Sequence, residues 1–153
     1  MYKKILVTLD GSEIGECVLE HLKTIAKGCD VPEVILLHVI EPLSAQSMTV
    51  LAQAGAETIT RIEQEIQTDA ENYMSKVTNN IKNDGINVTP VLVEGNASEE
   101  ILKYAANNKI DMIIMSTHGR SGISRFFMGS VANRVLNHSL VPVLIVPPPG
   151  YRK

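Results

Sequence analysis

Apolar residues along this chain fall into short solid runs, and between the runs they thin out to a helical stripe. Lys4-Ile5-Leu6-Val7-Thr8-Leu9 is the first run and stops at Asp10-Gly11-Ser12, which reads as a buried strand ending in a turn. Cys17, Val18, His21, Leu22, Ile25 and Ala26 follow at helical spacing, and Gly28 can close that helix. The run from Val34 to Ile40 is a second strand, ended by Glu41-Pro42. Residues 43–55 mix small and polar side chains without a firm period and read as an irregular loop. Ile59, Ile62, Ile66, Ala70, Tyr73, Val77 and Ile81 then recur at steps of three and four, which predicts a long amphipathic helix ending near Asp84-Gly85.

Val88 to Val93 is a third strand. Asn96 with Glu99 marks a helix start, and Ile101, Leu102, Tyr104 and Ala105 form that helix's apolar face. Asp111 to Met115 is a fourth strand, followed by a Gly/Ser-rich stretch and a short helix from about Ser130 to Leu136. Val141 to Val146 is a fifth strand, stopped by three prolines. Solid apolar strands alternating with helices predict an α/β fold: a parallel sheet covered on both faces. The expected form is an open, doubly wound, five-stranded parallel sheet of Rossmann-like type, order 3-2-1-4-5, with helices on both faces. Its ligand crevice belongs at the C-terminal ends of the strands, where the winding reverses.

At 153 residues the chain is expected to be one domain over 1–153, and 44% hydrophobic with 20% charged residues suits a soluble globular protein. The basic start, Met1 to Ile5, has too short an apolar run after it for a signal peptide, and no run is long enough to span a membrane. Cys17 and Cys29 lack CxxC spacing and read as free buried thiols of a reducing compartment, so the expected location is cytoplasmic. Net charge is −3, but unevenly spread. Residues 1–111 carry nine basic and seventeen acidic residues, net −8, whereas residues 112–153 carry five basic residues and no acid, net +5. An acid-free basic segment in an acidic protein suggests an anionic ligand there, while the overall acidity argues against nucleic acid as a partner.

The stretch Met115-Ser116-Thr117-His118-Gly119-Arg120-Ser121-Gly122, continuing to Gly129-Ser130, starts where the fourth strand stops and delivers its last residues to a helix N-terminus. Unpaired backbone N–H groups and the helix dipole attract anions at such a point, and the Ser130 hydroxyl can add a hydrogen bond. An ordinary βα loop with a serine cap has the same spacing. No Walker-type phosphate loop and no Gly-x-Gly-x-x-Gly after the first strand is present. Arg120 and Arg125 are either phosphate clamps or solvated side chains, and His118 either meets phosphate or braces a turn. His38, inside a strand, reads as a satisfied core histidine; His21 and His138 have no metal-ligand spacing.

Together these segments resemble the universal stress protein family from end to end. Residues 3–13 (Lys-Lys-Ile-Leu-Val-Thr-Leu-Asp-Gly-Ser-Glu) match its opening strand and turn, and 34–41 its second strand. Residues 116–132 and Pro142 to Val146 match its end. The loop resembles the ATP-binding branch: Gly119, nine residues, then Gly129-Ser130, with Ser116 where that branch has its first glycine. The resemblance implies ATP as the ligand, with room for Mg²⁺ or Mn²⁺ on its phosphates. It implies that Thr8, Leu9 and Val39 frame the adenine and that Asp10 holds the ribose hydroxyls. Ser116 and Gly119 would lie along the ribose and α-phosphate, and Met115, His118 and Arg120 are counted among the candidate ligand-binding residues. Gly129, Ser130 and Val131 would hold the outer phosphates. It also implies a homodimer joined through the fifth strand, whose apolar edge invites pairing.

Three functions follow as alternatives. One is a nucleotide-binding stress-response module, a sensor or regulator with slow or no hydrolysis, since no general base is evident. Another is a dimeric partner-binding protein that takes no nucleotide. The third is a nucleotide α-hydrolase or adenylating enzyme, for which Asp10-Gly11-Ser12 is too short and acidic a loop.

Overall fold

The structure is a computed structural model that describes residues 2–117 and 128–149. Its five strands are β1 (Lys4–Leu9), β2 (Glu33–Ile40), β3 (Val88–Glu94), β4 (Met112–Ser116) and β5 (Val143–Val146). The α-helices are α1 (Val18–Gly28), α2 (Ala45–Ala52), α3 (Ala56–Asn83), α4 (Ala97–Asn107) and α5 (Ser130–His138), with a 3₁₀ turn over Gly15–Cys17. All strands pair in parallel, in the order β3-β2-β1-β4-β5, as the alternation of runs and stripes predicts.

The strands read as solid apolar runs because both sheet faces are covered. Ile5, Val7 and Leu9 of β1, with Val34 and Leu36 of β2, face one core together with Val18 and Leu22 of α1 and Met74, Val77 and Ile81 of α3. Leu6, Ile35 and Leu37 face the other core, with Ile101 and Ala105 of α4 and Ala132 and Val135 of α5. Fully burying each such aliphatic side chain contributes about 1.5–3 kcal/mol. The chain winds β1-β2-β3 with α1 and α3 on the first face, then crosses by α4 to the other side of β1 on the second face. The switch in direction therefore falls between β1 and β4.

At the opposite end of the sheet, the Asp111 carboxylate accepts the backbone N–H groups of Lys3 (2.6 Å) and Lys4 (2.9 Å), tying the start of β1 to the start of β4. Those two bonds hold its carboxyl below the usual carboxylate range.

Three expectations need correction. Residues 43–55 are not an irregular loop: they contain α2, started by the Ser44 hydroxyl accepting the Ser47 N–H at 3.1 Å. No residue of α2 is buried, so no apolar stripe announced it. Gly28 does not close α1 but is its last residue, and the chain reverses at Asp30, with φ 47°. The two thiols are free but not buried: Cys17 is half-buried and Cys29 is exposed. The long stripe on α3 is buried at Ala70, Val77 and Ile81 in its second half; Ile59, Ile62, Ile66 and Tyr73 are half-buried.

Candidate functional site

A crevice of about 790 Å³ runs across the C-terminal ends of the strands. β1 brings Thr8, Leu9 and the following Asp10 to it, and β2 brings Val39. Met115 and Ser116 come from the end of β4, and Gly129, Ser130 and Val131 from the start of α5. Nine of the residues singled out in the sequence thus share one cleft. His118, Gly119 and Arg120, together with Arg125, lie outside the described residues.

Asp10 is built into a turn. Gly11 takes φ 82°, a left-handed backbone that glycine enters without strain. The chain then folds back so that Asp10 Oδ1 accepts the Ser12 N–H (3.1 Å) and the Ser12 hydroxyl (2.7 Å). Ser12 Oγ in turn accepts the Gly15 N–H at 3.0 Å. A Cβ at Gly15 would collide with Asp10 Oδ1, so the missing side chain is what lets the carboxylate lie against the turn. Sequence reading passed over Gly15, because its role depends on this fold-back and not on spacing.

His38 is buried, and its Nδ1 lies 2.8 Å from the Leu9 carbonyl, an acceptor, so Nδ1 carries the proton. Its ring packs on Tyr73 of α3 at 6.0 Å between centroids, consistent with a core role on the crevice wall. Beside it, strand parity orients Val39. The Val34 N–H donates to Asn87 and the Gly95 N–H to the Ile40 carbonyl, so even-numbered residues of β2 direct their backbone groups toward β3. Val39 therefore directs its carbonyl toward the β1 side, one step beyond the last β1 pair, Leu9 with His38. Val39 itself lines the cleft.

The junction of β4 with α5 is pinned by a relay of backbone bonds. The Thr117 N–H donates to the Val146 carbonyl (3.0 Å), and the Gly129 N–H donates to the Thr117 carbonyl (2.8 Å). Cys17 Sγ lies 3.9 Å from the same Val146 carbonyl. Burial, with Asp10 adding, pushes that thiol's pKa up, which keeps it a protonated donor. Thr117 was not singled out in the sequence; only the fold shows that it anchors both ends of the loop.

α5 begins at Gly129 with extended backbone (φ −57°, ψ 151°), and the Asn133 N–H makes the first intrahelical bond, to the Gly129 carbonyl at 2.9 Å. The N–H groups of Ser130, Val131 and Ala132 precede that bond, with no side-chain cap and no acid in the first turn. Among the described residues, this is a cluster of donors at the positive end of a helix dipole, facing the cleft. Arg134, one of the five bases of the acid-free segment, is engaged elsewhere: it pairs with Glu99 of α4 at 3.0 Å on the surface.

A family model described as the universal stress protein family matches residues 1–147. The chain belongs to that family. It is 35% identical over 155 residues to universal stress protein MJ0577 of Methanocaldococcus jannaschii, covering 95% of each chain. The solved structure of MJ0577 superposes with a TM-score of 0.80 at 34% identity, covering 96% of both chains. Two more distant structures share the fold. A universal stress protein solved in complex with cAMP has a TM-score of 0.69 at 20% identity, covering 96% of this chain and 98% of that one. A family protein from Arabidopsis thaliana with AMP bound has a TM-score of 0.69 at 16% identity, covering 97% and 93%. Among the described residues, no universal stress protein helix here is long and apolar enough to cross a membrane. Nor do three His, Cys, Asp or Glu side chains gather where they could hold a metal ion.

Proposed function

We propose that this universal stress protein binds ATP in the crevice and acts as a single-domain nucleotide sensor or regulatory module with slow or no hydrolysis. The observation that carries the reading is the uncapped, acid-free start of α5, lying in the same cleft as the Asp10 carboxylate. The two ends suit different parts of one molecule. Backbone donors at a helix N-terminus suit phosphate, whereas a carboxylate suits ribose hydroxyls and would repel phosphate. The Val39 carbonyl suits the exocyclic amino group of adenine and would meet an acceptor, O6, on guanine. Chains of this fold have been solved with cAMP and with AMP, so the fold accommodates an adenine nucleotide.

In this reading Thr8, Leu9 and Val39 frame the base and Asp10 binds the ribose. Met115 and Ser116, with Gly119, His118 and Arg120 of the loop, follow the ribose and α-phosphate. Gly129, Ser130 and Val131 take the outer phosphates. Mg²⁺ or Mn²⁺ would be held mainly by the phosphates and the Ser130 hydroxyl, and would supply charge neutralisation. Isothermal titration with ATP and Mg²⁺ tests the reading: saturable heat with a rise in melting temperature is expected, and GTP should bind more weakly. No heat and no thermal shift would instead favour the dimeric partner-binding alternative. Several turnovers per second in an ATP-to-ADP assay would overturn the non-enzymatic part. We also infer a cytoplasmic homodimer joined through β5, an edge strand whose Val143, Leu144 and Ile145 are half-buried. A monomer by light scattering at micromolar concentration would refute that assembly.

A further inference from the structure

α4 and α5 lie on the same face of the sheet, and both begin at the crevice: Ala97 lines it, as does Ser130. The start of α2 also borders the cleft, but the Ser44 hydroxyl caps it by accepting the Ser47 N–H at 3.1 Å. Open helix starts in one cleft would ordinarily offer competing anion sites, and a nucleotide could then lie in either direction. The α4 start is closed. Asn96 Oδ1 accepts the Glu99 N–H at 3.2 Å, as an N-cap does. The Ala97 N–H is taken by a residue far off in sequence: Glu41, just past β2, accepts it through Oε1 at 3.2 Å. Glu41 itself lines the cleft, and so does Asp69 of α3. The described wall at α5 carries no acid at all.

We propose that Glu41 sets the polarity of the crevice, a specificity role that rests on the nucleotide reading above. Its carboxylate occupies the α4 start, which would otherwise compete with α5, and adds negative charge beside it. A phosphate tail is turned away from the β2 end and toward Ser130, Val131 and Ala132, which leaves the β2 end to the uncharged base. The ligand class selected is a nucleoside carrying phosphate at one end only.

The test is a titration of the ¹⁵N-labelled full chain with sodium pyrophosphate, reading backbone amide shifts in the wild type and in Glu41→Ala. The wild type should move Ser130, Val131 and Ala132 and leave Ala97 and Ser98 in place. Glu41→Ala should move Ala97 and Ser98 as well, several-fold more than in the wild type. The same spectrum reports whether the variant is folded, and Glu41→Leu, which likewise cannot accept the Ala97 N–H, gives the readout if it is not. Ala97 and Ser98 unmoved in a folded variant, or already moving in the wild type, overturns the role of Glu41 while the nucleotide reading stands. If Ala97 and Ser98 respond in Glu41→Ala but Ser130 to Ala132 respond in neither protein, the closure of α4 is upheld and the nucleotide reading fails.

Discussion

α4 and α5 pack against each other on one face of the sheet and start at the same cleft, yet their first turns are built in opposite ways. α4 opens on Asn96, whose side chain caps the helix, with Glu99 and Glu100 in the first turn and Glu41 on the Ala97 N–H. α5 opens on a glycine with no side chain to turn back and no acid in its first turn. A helix start closed by its own chain gains about 1 kcal/mol of cap stability and loses its appeal to an anion. One left open forgoes that stability and keeps its donors for a ligand. The difference teaches that the backbone fold does not decide where an anion goes; the few residues at each helix start do.

The comparison can be broken most sharply by converting one start into the other. Gly129 already has the extended backbone of a cap residue, so Gly129→Asp should be accommodated there. Its carboxylate would close the α5 start as Asn96 closes α4. ATP affinity should fall by roughly 100-fold, about 2.7 kcal/mol, in calorimetric titration. The melting temperature of the unliganded protein should stay level or rise. An unchanged affinity in that variant would remove the open α5 start from the binding account.

A smaller loss is expected from Asp10→Ala, roughly 10-fold for ATP and for AMP alike, because the ribose is common to both. Pyrophosphate binding should not change. The converse experiment is Asn96→Ala. It should cost about 1 kcal/mol of stability in urea unfolding and leave ATP affinity within error.

The smallest effect lies at the far end of the sheet, where donors are again closed by the chain's own carboxylate. Asp111 has a lowered pKa because it accepts the N–H groups of Lys3 and Lys4. A carboxyl with a depressed folded-state pKa contributes stability above its unfolded pKa, near 4, and loses it as pH falls through the folded value. Asp111→Asn should therefore flatten the acid limb of a stability–pH profile below about pH 4 and lower stability slightly at neutral pH. An unchanged acid limb would place the loss elsewhere.

Much of this was legible before any coordinates. Solid runs such as Val34 to Ile40 read as strands covered on both faces, and the stripe from Ile59 to Ile81 reads as one long helix. The parallel sheet follows from those, and right-handed crossovers leave few orders, of which the doubly wound one is found. What stayed hidden has a common cause. α2 buries nothing, so its sequence carries no period to read. Gly15 matters because a turn folds back on Asp10, and Glu41 because β2 ends beside α4, 56 residues further on. Contacts between elements are set by register and packing, and no spacing along the chain encodes them. Gly129-Ser130 was findable because it sits at the head of a helix, a place that local pattern does mark, whereas Asp10 and Ser116 took their roles from the family resemblance.

The Thr117–Gly129 hydrogen bond gives this architecture a splice point. The Gly129 N–H meets the Thr117 carbonyl at 2.8 Å, so the end of β4 and the start of α5 are held directly to each other. The sequence that joins the two can be redrawn in length and composition without moving the helix whose start faces the cleft. Lineages of the fold, or a protein engineer, can rewrite what surrounds the ligand while the anchor stays where it is.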